Sequence, residues 1–164
     1  MPDVYLILGS NLGDRMKNLQ IATELISENV GKIINKSSVY ETEPWGFNHR
    51  LNFLNQVLKV ITALNPEEVL EVIIKIEKLS GRKRNNNKYS ARVIDIDILF
   101  YNNNVIKSDK LIIPHPKIQE RMFVLVPMAE LQPDFIHPEL LVSISQLKNE
   151  CRDTKWVREY TSKK

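Results

Sequence analysis

Two aspartates on one short apolar run are the residues of this sequence best suited to chemistry. In Val93-Ile94-Asp95-Ile96-Asp97-Ile98-Leu99-Phe100 the pattern repeats every two residues, as on a strand. Ile94, Ile96, Ile98 and Phe100 are then expected on one side, with Asp95 and Asp97 on the other, about 7 Å apart. Aspartate is disfavoured in strands, and two carboxylates on one face repel each other. A cation held between them removes the repulsion. Oxygen donors without thiolates or clustered histidines suit Mg²⁺ or Mn²⁺, which take few protein ligands and add water and substrate phosphates. Two incidental acids on a solvated strand face would leave the same pattern, and Asp-x-Asp alone does not separate the two readings.

The segment ahead of the acids tips the balance. Between Gly81 and Arg92 it carries Arg82, Lys83, Arg84, Lys88 and Arg92 as cations. Metal-binding acids beside phosphate-binding arginines recur in phosphoryl transfer. By itself the segment reads as a solvated charged loop. Beside the acid pair, its length and its run of asparagines favour a mobile lid. The chain has no Gly-x-x-x-x-Gly-Lys-Ser/Thr motif, which excludes a P-loop enzyme. His115, between Pro114 and Pro116, and the following Arg121 are further candidates for phosphate contact. The plainer reading of His115 is a turn histidine bonded through its ring to backbone. His49 and His137 have no metal-ligand spacing. Trp45, Phe53 and Phe123 stand at the edges of expected elements, and Asn55 shares a strand face with Phe53. Two rings could sandwich a flat heterocycle while the amide reads its edge. Core packing would account for any one of them.

The elements that must position these groups follow from periodicity and punctuation. A first strand, Val4 to Gly9, leads through the turn Ser10–Asp14 to a helix with Met16, Leu19, Thr23, Ile26 and Val30 on one face. A second strand runs from about Ile33 to Glu43, Pro44–Asn48 reads as a loop, and a third strand runs from about Phe53 to Ile61. Asn65, Pro66 and Glu68 form a capping-box start for a helix with the stripe Val69, Val72, Ile73 and Ile76, and Gly81 is its expected stop. Val93–Tyr101 is the fourth strand. An asparagine turn at 102–104, short extended pieces near Val105 and Leu111, and a helix from Met122 to Leu131 follow. Strand, helix, strand, strand, helix, strand is the ferredoxin-like α+β order, an antiparallel sheet with helices on one face.

Bulk properties bound the function. A chain of 164 residues fits one domain spanning 1–164, and 43% hydrophobic with 26% charged residues is an ordinary globular balance. A net charge of +3, from 23 basic and 20 acidic residues, is too balanced for general nucleic-acid binding. Cys151 is the only cysteine, which excludes an internal disulfide and a multi-thiolate zinc site and fits a reducing compartment. No apolar run approaches the ~20 residues of a membrane span, and Val4–Leu8 is too short for a signal core. A cytoplasmic protein with no membrane or nucleic-acid partner is expected.

At this point the motifs match a known family. Gly9-Ser10-Asn11-Leu12-Gly13-Asp14-Arg15, Glu41-Thr42-Glu43-Pro44-Trp45-Gly46 and Phe53-Leu54-Asn55 occur in order in the first half. Gly81-Arg82-x-Arg84, Arg92-x-x-Asp95-x-Asp97-Ile98-Leu99, Pro114-His115-Pro116 and Glu120-Arg121-x-Phe123-Val124-Leu125-x-Pro127 follow in the second. The chain resembles the 6-hydroxymethyl-7,8-dihydropterin pyrophosphokinases of folate biosynthesis from residue 5 to about 135. Each motif alone is weak, but the ordered set is specific.

The resemblance implies a ferredoxin-like fold, ATP as co-substrate and two Mg²⁺ ions. It implies transfer of the terminal pyrophosphate of ATP to the pterin's hydroxymethyl oxygen, with release of AMP. Carried over by motif, Asp95 and Asp97 bind both metals and, with Arg82 and Arg92, form the catalytic set. Arg82, Arg84, Arg92, His115 and Arg121 face the triphosphate, and Glu77 and Ile98 lie near the base and ribose. Thr42, Pro44, Trp45, Phe53, Asn55 and Phe123 form the pterin pocket, with Phe53 and Phe123 stacking on the ring. Tyr89 stands where the family commonly has Trp and keeps a stacking face toward ATP, and Ser90-Ala91 replaces Gly-Pro. Standalone relatives are usually monomers, so a monomer acting on small molecules is expected. Three rivals compete: a palm-like nucleotidyltransferase, a ferredoxin-like RNA-binding module and a regulatory ligand-binding domain. An RNA module needs aromatics on its central strands; Tyr5 is available, but Asp95 and Asp97 would repel a phosphate backbone.

Overall fold

The computed structural model describes residues 1–43, 52–80 and 93–161. The strands are β1 (Asp3–Ser10), β2 (Gly31–Lys36), β3 (Tyr40–Thr42), β4 (Phe53–Thr62), β5 (Asp95–Tyr101), β6 (Ile106–Lys107), β7 (Ile112–Ile113) and β8 (Val157–Glu159). The helices are α1 (Arg15–Asn29), α2 (Pro66–Leu79), α3 (Met122–Leu131) and α4 (Ile144–Glu150), with a 3₁₀ turn at Ile118–Glu120. The main sheet runs β5-β1-β4-β3-β8, with β2 also on β4. All of its pairings are antiparallel. This is the expected α+β order, with β1 and β4 at the centre; β6 and β7 form a separate small ribbon.

Local chemistry explains the element ends. Asn65 and Glu68 exchange bonds of 2.9 and 3.0 Å in the expected capping box, with Pro66 in the first turn of α2. The helix stops at Leu79, where Ser80 N–H still reaches the Ile76 carbonyl; the expected stop, Gly81, lies outside the described residues. Asp14 caps α1 by accepting from Lys17 N–H at 3.2 Å. Leu19, Ala22 and Ile26 are buried on this helix, whereas Met16, expected on the stripe, is 41% exposed. The buried stripe therefore begins one turn later than the periodicity suggests.

The expected second strand is two. At Ser37 the backbone N–H bonds to the Val57 carbonyl, while the Ser37 hydroxyl takes the Val57 N–H at 2.9 Å. A side chain here replaces a ladder carbonyl and interrupts the strand. Glu130 of α3 fastens the break: its carboxylate accepts from Ser38 N–H, Ser38 Oγ and, at 2.6 Å, Tyr40 Oη.

Helices cover both faces of the sheet, not one. On one side Val4, Leu6 and Leu8 pack with Leu19, Ile26, Val69 and Ile73 of α1 and α2. On the other, Tyr5, Ile7 and Val57 pack with Val124, Leu125 and Met128 of α3 and Ile144 and Leu147 of α4. The cause lies in β1, which is apolar on both faces and so demands cover on both.

A second departure concerns Phe100. The β1–β5 register shifts between Tyr5 and Leu6, which pair with Phe100 and Ile98, so Leu99 is the extra residue of a bulge. Phe100, expected beside Ile94, Ile96 and Ile98, instead joins Leu99 in the α3 core. There it meets Tyr5 edge-on at 6.2 Å and Phe135 at 4.6 Å. Asp95 and Asp97 precede the bulge and keep the alternation intact.

Candidate active site

The site is built at the end of the sheet where β1 finishes and β4 and β5 begin. Gly9 of β1 pairs with Asn55 of β4 on one side and with Asp95 of β5 on the other. Directly paired residues share a sheet face, so Asn55, Gly9 and Asp95 form one row. Two residues along each strand bring Phe53 and Asp97 to the same face. Thr42 of β3 pairs with Phe53 and joins them. This is the α3 face, marked by Tyr5, Ile7 and Val57. The acids and the amide–aromatic pair thus stand two strand spacings apart, about 10 Å.

Gly9 keeps the floor between them open. A Cβ at Gly9 would stand 2.9 Å from Asn55 Oδ1 and 3.7 Å from Phe53 Cδ1. Asn55 is buried, and its Nδ2 donates to Thr42 Oγ1 at 3.0 Å. That bond turns Oδ1 toward the floor. This role for Gly9 was not among the expected site residues. Its signal was present, because a glycine inside an apolar strand marks a close approach.

Asp95 and Asp97 are half-buried, with Ile96 and Ile98 buried on the opposite face as expected. β5 is the edge strand, and Glu77 of α2 accepts its Ile96 N–H at 3.0 Å. Glu77 thereby holds the residue between the two acids from outside. Glu77 and Ile98 are both buried on the α2 side of β5, so the structure does not bring them onto the acid face.

His115 is a turn histidine with its ring bonded to backbone, the plainer of the two expectations. Its backbone N–H donates to the Leu99 carbonyl at 3.1 Å, so the bulge in β5 holds its position. Its Nδ1 accepts from Lys117 N–H at 3.1 Å. The neutral ring therefore carries its proton on Nε2, as a donor. Burial depresses the ring pKa from 6.5 to about 4, aided by Arg121 and Lys117 and opposed by Asp95. Arg121 and Asp95 thus both act on this ring. The Arg121 guanidinium also lies 5.6 Å from the Phe123 ring centre at the start of α3. Asp153 steadies that start by accepting Met122 N–H at 3.0 Å.

In an NMR titration the His115 ring should stay neutral through pH 6 and protonate with a midpoint near 4. With the folded value below the unfolded one, the unfolded chain binds this proton more tightly. The stability contribution is full above about pH 6.5 and is lost as pH falls toward 4. His115→Gln should make stability less steep across that window. An unchanged slope would contradict the assignment.

Pro44, Trp45, Arg82, Arg84, Tyr89 and Arg92 lie outside the described residues, as does the expected lid. Among the described residues no three His, Cys, Asp or Glu side chains cluster as a metal site, and no helix is long and apolar enough to cross a membrane. His137 is buried and structural: its Nδ1 accepts from Glu139 and Leu140 N–H at 3.1 and 3.0 Å. Tyr160 packs partly against the α1–α2 core, and Trp156 is partly exposed beneath the Arg158 guanidinium, 4.6 Å from its ring centre.

Comparison with known proteins shows the family to which the chain belongs. The family model for 7,8-dihydro-6-hydroxymethylpterin-pyrophosphokinase (HPPK) matches residues 5–133. The 2-amino-4-hydroxy-6-hydroxymethyldihydropteridine pyrophosphokinase of Aquifex aeolicus is 44% identical over 92% of each chain. Its counterpart in Bacillus subtilis is 42% identical over 77% of this chain and 76% of that one. The folate synthesis bifunctional protein of Arabidopsis thaliana is 45% identical over 79% of this chain, which spans only 27% of that longer protein. Among solved structures, a Plasmodium falciparum HPPK-DHPS triple mutant superimposes with a TM-score of 0.75 at 21% identity, over 91% of this chain and 43% of that one. That likeness concerns the fold. A matched family model over most of the chain, together with relatives above 40% identity that it matches over most of their own length, places this chain in the 7,8-dihydro-6-hydroxymethylpterin-pyrophosphokinase family.

Proposed function

We propose that this chain transfers pyrophosphate from ATP to the hydroxymethyl group of 6-hydroxymethyl-7,8-dihydropterin, releasing AMP, as a step of folate biosynthesis. The observation that carries the reading is the row Asn55–Gly9–Asp95. It sets a hydrogen-bonding, aromatic surface for a flat ring beside an acid pair suited to a metal-bound triphosphate. The donors suit Mg²⁺: they are carboxylate oxygens, half-buried, on one face of an edge strand. Asp95 and Asp97 would hold the ions, two by family likeness, with ATP supplying phosphate oxygens. Bound there, Mg²⁺ offsets charge on the attacked and leaving oxygens.

The chain's own residues supply the rest. Phe53 and Phe123 stack on the pterin, Asn55 reads its edge, and Thr42 holds the Asn55 amide. Pro44 and Trp45 complete the pocket. His115, neutral with its proton on Nε2, and Arg121 donate to phosphate oxygens. Arg82, Arg84 and Arg92 do the same, Tyr89 offers a stacking face, and Glu77 and Ile98 belong to the nucleotide side. The hydroxymethyl oxygen attacks the β-phosphorus in line. Its bond to phosphorus forms as the bond to the α,β-bridging oxygen breaks, and AMP leaves. Asp97 is the nearest candidate to receive the hydroxyl proton. The chain acts as a cytoplasmic monomer with a single domain.

One incubation with ATP, Mg²⁺ and the reduced pterin tests the reading. AMP and a pterin pyrophosphate are expected in equal amounts. Release of pyrophosphate instead would identify a nucleotidyltransferase, and absence of turnover would identify a binding domain.

A further inference from the structure

We propose that Arg15 is a positioning residue for the pterin-facing pair Thr42 and Phe53, acting through Glu41 and Asn52, with the C-terminal strand β8 as its brace. The inference rests on the pterin reading above. Arg15 opens α1, and its Nη1 donates to the Asn52 carbonyl at 2.8 Å and to Glu41 Oε2 at 3.4 Å. Asn52 immediately precedes Phe53, and Glu41 immediately precedes Thr42. Thr42 and Phe53 are register partners across β3 and β4. Neighbouring side chains on a strand point to opposite faces, so Glu41 is turned away from the site while Thr42 is turned into it. One guanidinium nitrogen therefore holds the site's β3–β4 edge from behind.

The brace is made of residues beyond the family motifs. Glu41 Oε1 accepts from Arg158 Nε and Nη2 of β8 at 3.1 and 2.8 Å. The Arg15 guanidinium lies 5.7 Å from the Tyr160 ring centre, and Tyr160 N–H donates to the Val39 carbonyl at 2.8 Å. Glu41 is 13% exposed; burial alone would raise its carboxyl pKa, but the bonds from Arg158 and Arg15 outweigh that and hold it low. The carboxylate is thus charged and gripped from both sides. This network sits at the β3–β8 end of the sheet, whereas the acids sit on β5 at the other end. Loss of Arg15 should disturb the pterin and spare the nucleotide.

The experiment compares two affinities in Arg15→Met by calorimetry. One probe is α,β-methylene-ATP with Mg²⁺, and the other is 6-hydroxymethylpterin at saturating analogue. Pterin binding should weaken about tenfold, the scale of a lost charge-assisted bond, with nucleotide affinity within about twofold. Arg158→Met, which leaves Arg15 on Glu41, should give a smaller loss of the same kind. Unchanged pterin affinity, or equal losses of both ligands, would overturn the positioning role. If Arg15→Met does not fold, the isosteric Glu41→Gln carries the same measurements and outcomes. Failure of the wild-type chain to bind the pterin would instead overturn the reading of the site.

Discussion

Asp97→Ala is expected to lower kcat by on the order of 10³-fold at saturating Mg²⁺, the scale of several kcal/mol of lost charge stabilisation in the transition state. The strand should survive the change. Asp97 precedes the bulge, and its neighbours Ile96 and Ile98 stay anchored in the α1–α2 core. Removing one of two same-face carboxylates also relieves repulsion. Addition of Mg²⁺ and a non-cleavable ATP analogue should raise the melting temperature of the parent more than that of the variant, since only the parent gains the full linkage stabilisation. Asp95→Ala should behave alike. Normal turnover of Asp97→Ala at saturating Mg²⁺ would show that the pair does not hold the metal.

The second large effect concerns a residue with no side chain. Gly9→Ala should weaken pterin binding by about 10- to 100-fold and cost about 1–3 kcal/mol of stability. The new Cβ would stand 2.9 Å from Asn55 Oδ1. Asn55 cannot retreat cheaply, because it is buried and its Nδ2 is bonded to Thr42 Oγ1. Either the amide abandons that bond or β1 and β4 separate. A double-mutant cycle tells a local clash from general damage. In Gly9→Ala/Asn55→Ala the clash is gone, so most of the stability lost to Gly9→Ala should return while pterin affinity stays low. Additive losses in stability would show that the strain lies elsewhere.

The placement of the acids and the start of α2 were legible because they are written in local pattern. Asp95 and Asp97 fall on one face because a strand alternates, and that holds whatever packs against it. Asn65, Pro66 and Glu68 start α2 because their bonds close within one turn. The turn role of His115 was open from its setting between prolines, since its ring bonds to backbone two residues on. The errors arose where one residue answers to two distant partners. Phe100 changes sides because β1 and β5 slip by one residue at Leu99, and no local feature of β5 requires that slip. The break at Ser37 depends on Val57 and on Glu130, 20 and 92 residues away in the bonds that make it. Helices on the second face were implied by the apolar alternation of β1 but not identified with α3 and α4.

By itself, then, the sequence determined the order of elements, the same-face acids and the family motifs, since each depends on neighbours in the chain. Tertiary structure alone decided that Gly9 floors the space between Asn55 and Asp95, that Glu77 secures the strand between the acids, and that Arg15 and Arg158 meet on Glu41. Those relations rest on pairings between segments far apart in the chain. Periodicity says which way a side chain points, and only packing says what it finds there.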